Sequence, residues 1–417
     1  MEGDPRPGLS GIQPEDLETW LVAHGERSYR ARQVSDGLWR GHARTAAAIP
    51  TLPAALRDAL DAAFRFDTIE TTELVLGDGG QTEKALHRLA DGAMVESVLM
   101  HYPARAGSRE RHTLCLSSQA GCAVGCPFCA TGELGFTRDL DAAEIVDQAR
   151  DAARRLAAEG KRLTNIVFMG MGEPLLNLDN VLASIEALND RRRFGLGARH
   201  ITVSTSGVVP GIRRLTALGP QFTLAVSLHA ARDALRDVLV PLNRRWPVAE
   251  VVEAARDHAR TTGRRISYEY TMIGGVNDTD LDASALADLL RGDHVHVNLI
   301  PMNQVAHTPW TARVNWGPRA VSRRIPGTTP EVDTVMWRAP SPNRWRSFSA
   351  SIAASTLSRL RSGSPIPMNT MFVSRCPSAS SRRAASRAWS TISAASRSRV
   401  NPSSPVAQNG HPTAQPA

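Results

Sequence analysis

Residues 113–132 read TLCLSSQAGCAVGCPFCATG. A short β-rich run, Thr113–Ser117, is followed at once by a loop that holds three of the chain's five cysteines within eight positions. The spacing is Cys122-x3-Cys126-x2-Cys129, with Gly121, Gly125 and Pro127 to let the backbone wrap. Downstream the same rhythm repeats. Further β-rich runs are TNIVFMG, HITVSTSG, FTLAVSLHA, RISYEYTMIGG and HVHVNLIPMN. Amphipathic stretches at helical spacing separate them, among them DAAEIVDQARDAARRLAAEG and PVAEVVEAARDHARTTG. Six βα-type units predict an α/β class, a parallel sheet or an incomplete (βα)6 barrel. In such barrels chemistry collects at the C-terminal ends of the strands. Here those ends carry the cysteines, Gly170–Glu173, Ser204–Ser206, Ser227–His229, Glu269 and Asn303. Each alone reads more simply as a cap or turn residue; several converging on one rim read as a cleft.

Upstream, PEDLETWLVAHG and YRARQVSDGLWRG predict a small helical subdomain over 1–64, either a solvated accessory unit or a nucleic-acid dock carrying Arg30, Arg32 and Arg40. TIETTELVLG, EKALHRLA and MVESVLMHY predict a β-rich extension over 65–112. The α/β units fill 113–312. From Arg313 the composition changes: residues 313–417 hold fifteen Arg, about twenty Ser and no Lys. Fifteen arginines against Glu331 and Asp333 give +13, which leaves residues 1–312 at −5 within the total of +8. The basic balance therefore says little about what the body binds. Ser/Arg/Pro-rich sequence of this kind does not bury enough apolar surface to fold, so a disordered tail is expected. A basic RNA-binding arm is one reading of it; an out-of-frame translation of a GC-rich gene fits the composition better. Five cysteines are too few for a disulfide scaffold. The N-terminus lacks a signal-peptide h-region, and no apolar run approaches the ~18 residues of a membrane span. A reducing cytoplasm is the expected setting, without a membrane.

Four uses of the cysteine trio compete. A disulfide suits neither the number nor the setting. Structural zinc usually takes four ligands, and no His follows at finger spacing. A nucleophilic thiol needs one cysteine with a base. Three thiolates suit a [4Fe–4S] cluster with one iron open to a non-protein ligand, which S-adenosylmethionine (SAM) can chelate before reductive cleavage to a 5′-deoxyadenosyl radical.

Several longer stretches join this motif: YRARQVSDGLWR, MVESVLMHY, TLCLSSQAGCAVGCPFCATGELGFTRDL, NIVFMGMGEPLLNLDNV, ITVSTSGVVPGI, LAVSLHA, LVPLNRRWP and HVNLIPMNQV. In these the chain resembles the radical SAM enzymes, and within them the RlmN family of dual-specificity RNA methyltransferases, over about residues 12–312. The resemblance implies a [4Fe–4S] cluster on Cys122, Cys126 and Cys129, and SAM, two per turnover, against Gly172, Glu173, Ser204, Ser227, Leu228, His229 and Asn303. It implies Glu96 as proton acceptor and Cys115 as the resolving cysteine of a transient disulfide. Alone, Glu96 would read as a strand carboxylate and Cys115 as a buried strand thiol. The implied reaction is methylation of C2 of adenosine in 23S rRNA and tRNA through a methyl-cysteine carrier. The implied partners are those RNAs and a reductant such as flavodoxin; a monomer is expected. A relative that methylates C8 shares much of the pattern.

The family's carrier cysteine lies in an Ala-Cys-Gly-Gln-Leu context that these 417 residues lack. The resemblance stops at Ala312, and the only later cysteine, Cys376 in FVSRCPSASS, has none of those neighbours. No carrier is assigned. Two readings follow: a methyltransferase of this family, or a protein that keeps the cluster, SAM and RNA but no longer methylates. Arg191–Arg193, Arg213–Arg214, Arg244–Arg245 and Arg264–Arg265 are candidate phosphate contacts, although paired arginines are commonly plain surface.

Overall fold

Alternation of β-rich runs with amphipathic helices builds a nine-stranded mixed sheet in the computed structural model, which describes residues 4–104, 109–303 and 308–311. The expectations for the tail and for Cys376 lie outside those residues.

Three helices lead: α1 (Pro14–Ala23), α2 (Tyr29–Trp39) and α3 (Ala54–Ala63). Three antiparallel strands follow, β1 (Ile69–Gly77), β2 (Thr82–Leu89) and β3 (Met94–Tyr102). The parallel strands are β4 (Arg111–Cys115), then β7 (Asn165–Phe168), β8 (Ile201–Thr205), β9 (Thr223–Ser227), β10 (Ile266–Met272) and β11 (Val295–Pro301). Between β4 and β7 stand a short antiparallel pair, β5 (Gln119–Gly121) and β6 (Phe136–Asp139), with the one-turn helix α4 (Ala130–Glu133) between them. The remaining helices are α5 (Ala142–Ala158), α6 (Leu178–Asn189), α7 (Val209–Leu218), α8 (Asp233–Leu239), α9 (Val248–Thr262) and α10 (Asp280–Leu289). Strand order is β1-β2-β3-β4-β7-β8-β9-β10-β11. The six parallel strands are those of the six βα units. The extension is not a separate layer: β3 pairs antiparallel with β4, Val98 opposite Cys115, so β1–β3 continue the same sheet.

Period-two alternation sorts the strands into two faces. Leu114, Ile166, Val203, Leu224, Tyr268 and Leu299 point into the main apolar core, which the helices cover. The other face carries Cys115, Ser204, Ser227, Ser267, Glu269 and Asn298. The register ties them: Cys115 lies opposite Val167, Ser204 opposite Ala225, and Glu269 sits between Ser227 and Asn298. One face is thus an apolar wall for helices and the other a polar interior.

Helix ends follow local chemistry. Capping boxes start α5 (Asp141 with Glu144) and α10 (Thr279 with Asp282), and left-handed glycines end α7 and α9. The leading helices share the main core with the sheet, and Trp39 meets Phe194 edge-on at 6.5 Å. Buried Arg150 on α5 ties them down: its guanidinium donates to Asp147 at 2.6 Å, Phe66 O at 2.7 Å and Ala43 O at 2.9 Å. Among the described residues no helix is long and apolar enough to cross a membrane.

Candidate functional site

The cysteine loop leaves β5 through Gly121, whose φ of 81° and contact with the Gly135 carbonyl leave no room for a Cβ. The β5–β6 pair closes the base of the loop, and Cys122 N donates to Gly135 O at 2.8 Å. Cys122, Cys126 and Cys129 are half-buried and unpaired; with Cys115 they make four free cysteines, so no disulfide joins the described residues. Burial pushes the Cys122 thiol up to about 11, against backbone amides of Val124 and Gly125 that favour its thiolate. Cys126 is raised further, by burial and then by Cys129 and Cys122. The three thiols therefore lie within Coulomb range of one another. Yet no three His, Cys, Asp or Glu among the described residues converge as a single-ion site. Three thiol donors on one loop, with the backbone N–H groups of Val124 and Gly125 turned to Cys122, have the chemistry of a polynuclear cluster site. Beneath the loop, Val124, Cys122, Cys126 and Phe128 pack on a small second core with Leu239, Val240, Ile273 and Met302.

The GMGEP turn after β7 presses on the strand that precedes the cysteines. Gly172 has φ of 101°, and a Cβ there would lie 2.5 Å from Gln119 Cβ and 2.8 Å from Gln119 N. Met171 N donates to Ser117 Oγ at 2.9 Å, and Ser117 Oγ donates to Glu96 O at 2.5 Å. Glu173 N donates to Gln119 Oε1 at 2.8 Å. The Glu173 carboxylate is buried and raised by that burial, and it accepts from Leu175 N at 3.1 Å and Ser206 N at 2.6 Å. In this structure Glu173 braces the β7 and β8 loops against each other, keeping only its remaining lone pairs for a ligand. Ser117 and Gln119 were not singled out by sequence; the polar SSQ run directly after an apolar strand was the available signal.

Ser204 Oγ donates to Phe168 O at 2.7 Å. Leu228 is fully buried, and both its backbone groups are engaged: N donates to Glu269 O at 2.9 Å, and O accepts from Arg236 Nε at 3.0 Å. It positions its neighbours. His229 sits at φ of 59°, a left-handed conformation unusual for a side-chain-bearing residue. Its Nδ1 accepts from Thr271 N at 3.0 Å, which leaves the proton on Nε2. Burial, helped by the Arg236 charge, holds the imidazole neutral, pulled down to about 3. Its ring meets Phe128 of the cysteine loop edge-on at 4.9 Å. Asn303 is exposed just beyond β11. Deeper in the polar interior, Glu269 accepts from Ser267 Oγ at 2.9 Å and Asn298 Nδ2 at 2.7 Å.

Glu96 and Cys115 form a second focus on the same polar face. Cys115 opposes Val98, and Glu96 is the next residue along that face of β3. Burial pushes the Cys115 thiol up to about 12, and the Glu96 charge adds to the rise. Glu96 pairs with Lys84 Nζ at 2.7 Å. Lys84 is on β2, and only the β2–β3 register brings it there, so no local motif marks it.

Comparison with known proteins gives four matches. The Radical SAM superfamily pattern matches residues 116–287. The chain is 48% identical over 341 residues to a probable dual-specificity RNA methyltransferase RlmN of Parafrankia sp. (strain EAN1pec), a match covering 78% of this chain and 87% of that one. It is likewise 48% identical over 315 residues to the probable RlmN of Thermobifida fusca (strain YX), covering 74% and 85%. Among solved structures, a radical SAM methyltransferase from Sphaerobacter thermophilus superposes with a TM-score of 0.72 at 44% identity, over 76% of this chain and 91% of that one.

Proposed function

This chain belongs to the RlmN family of radical SAM methyltransferases, and we propose on that premise that it is built to methylate C2 of adenosine in 23S rRNA and tRNA. Cys122, Cys126 and Cys129 hold a [4Fe–4S] cluster, and Gly172, Glu173, Ser204, Ser227–His229 and Asn303 surround SAM. Held by these three cysteines, the cluster would supply the one-electron reduction that SAM cleavage requires. The observation that carries the reading is the shared polar face, with Cys115 on β4, the sheet strand that runs on towards the cysteine loop, and Glu96 on its neighbour β3.

The protein's own groups divide the rest. Gly172 lets the turn backbone approach a ligand closely. Neutral His229 offers an Nε2 hydrogen while its other nitrogen is held by Thr271. Glu96 accepts the proton leaving the adenine ring, and Lys84 Nζ at 2.7 Å holds its carboxylate in place. Cys115 is a protonated thiol in the resting state and must lose its proton to act as the resolving nucleophile. Sheltered beneath the sheet, it forms its transient disulfide only with a carrier brought to it. RNA docks along the helical subdomain of residues 1–64, where a cleft of about 460 Å³ lies between α1, α2 and Arg191–Arg193. Arg32 and Arg40 each pair with Asp36 on α2, which tempers their pull on phosphate. The working form is a cytoplasmic monomer fed by a flavodoxin-class donor.

The 417 residues lack the Ala-Cys-Gly-Gln-Leu carrier context. We therefore assign them the cluster and SAM cleavage without methyl transfer. Nucleoside mass spectrometry of rRNA incubated with the reconstituted chain tests this. No 2-methyladenosine is expected from the chain as it stands. A chimaera whose residues after 312 carry the family's carrier segment is expected to form it. Product from the unaltered chain overturns the assignment, and an inert chimaera overturns the function.

A further inference from the structure

Arg236 on α8 is buried completely, one of the largest side chains shut inside the protein. Each of its three nitrogens donates to a neutral acceptor. Nε donates to Leu228 O at 3.0 Å and Nη1 to Asn243 Oδ1 at 2.9 Å. Nη2 donates to Ser206 O at 2.6 Å and Ser227 O at 3.2 Å. The other fully buried arginine among the described residues, Arg150, is instead hydrogen-bonded to two carboxylates, Asp147 and Asp67. Around Arg236 the acids stand one step back: Asn243 Nδ2 donates to Asp233 at 3.0 Å and to Asp237 at 2.7 Å. Burial pulls the guanidinium down to about 10, so it stays a cation at neutral pH. Its helix lies against the cysteine loop, since Leu235 and Leu239 share the second core with Cys122 and Cys126, and its charge acts on Cys126, Glu173 and His229. A buried cation without a directly bonded anion is costly unless an anion completes the site.

We propose that Arg236 is the fixed counter-charge of the iron–sulfur cluster, set behind Cys126 to raise its reduction potential. The proposal rests on the reading that Cys122, Cys126 and Cys129 hold that cluster. A cluster on three thiolates is an anion, and it gains one further negative charge when a one-electron donor reduces it; no bond forms or breaks. A nearby fixed cation favours the reduced form, since net charge and surroundings set such potentials. The same guanidinium holds the ends of β8 and β9 in place, so Arg236 is a positioning residue as well as a charge.

The test is an EPR-monitored redox titration of the anaerobically reconstituted full chain without SAM, on wild type, Arg236→Gln, Arg236→Lys and Asp237→Asn. Arg236→Gln is expected to lower the potential by about 59 mV or more, a tenfold fall in the reduced-to-oxidised ratio at fixed potential. Arg236→Lys keeps the charge and is expected to stay near wild type. Asp237→Asn is nearly isosteric, removes an anion facing the guanidinium, and is expected to shift the potential upward. It also decides the question if the Arg236 variants do not fold. Equal potentials in wild type and Arg236→Gln, equal shifts in Gln and Lys variants, or an unmoved Asp237→Asn overturn the role of Arg236. Wild-type protein without iron and sulfide overturns the cluster reading itself, a separate failure read from metal content alone.

Discussion

Gly172→Ala separates a close-packed site from an ordinary turn. At φ of 101° an alanine is strained, a cost of about 1–3 kcal/mol. The added Cβ also meets Gln119 Cβ at 2.5 Å, Cγ at 2.7 Å and the backbone nitrogen at 2.8 Å. A side-chain tip could swing away; a backbone nitrogen and a Cβ cannot, and such overpacking costs a further ~1–3 kcal/mol. The total is roughly 4 kcal/mol, or about 5 °C in melting temperature for a chain of this size. Gly160→Ala is the control. Its φ of 70° carries the strain, but nothing lies within 4 Å of the added Cβ, so it loses only about 1–2 kcal/mol. If the turn yields instead of the whole fold, Glu173 N parts from Gln119 and SAM affinity falls. Thermal melts and SAM equilibrium dialysis on both variants read the two outcomes. A Gly172→Ala protein that melts with Gly160→Ala and binds SAM like wild type refutes the reasoning.

Three further outcomes follow from the same structure. Replacing Arg150 by Met leaves Asp147 buried without its counter-charge, held only by Thr68, and frees Ala43 and Phe66 from α5; a loss of about 3–5 kcal/mol is expected in urea unfolding, and a loss below ~1 kcal/mol contradicts the clamp. Glu96→Gln removes only a partly exposed ion pair with Lys84, so stability should change by less than about 1 kcal/mol while SAM cleavage persists; a collapse of either shows that Glu96 has another task. Burial pulls His87 and His258 down to about 4 from 6.5, so below pH 6.5 the unfolded chain binds protons that the folded chain refuses. Stability should fall as pH drops from about 6.5 towards 4, by roughly 2 kcal/mol per histidine at pH 5. His87→Gln should flatten that slope in urea midpoints taken at pH 7.5 and pH 5, and an unchanged slope argues against a neutral buried His87.

The parts of the fold that local pattern controls were legible in sequence. Six β-rich runs became six parallel strands, and MVESVLMHY became β3, because alternation and helical spacing are read residue by residue. The β5–β6 pair escaped notice because three- and four-residue strands carry too little periodicity. The union of β3 with β4 was also hidden, since register between strands is set by the whole sheet. In the site, the cysteine spacing and the GMGEP turn announced themselves as local motifs. Lys84 reaches Glu96 only through register, and Arg236 reaches Cys126 only through the packing of α8. Glu173 and Leu228 lie in the turns after β7 and β9 as a brace and a spacer, and their hydrogen bonds are largely spent inside the protein, which no local motif announces.

The central claim is that the Cys122–Cys129 loop holds a cluster that opens SAM. It is tested most directly by 5′-deoxyadenosine release from the anaerobically reconstituted chain given SAM and a one-electron reductant, beside a Cys126→Ser variant. The account predicts 5′-deoxyadenosine from the first and none from the second; equal amounts from both, or none from either despite full iron and sulfide in the wild type, would contradict it.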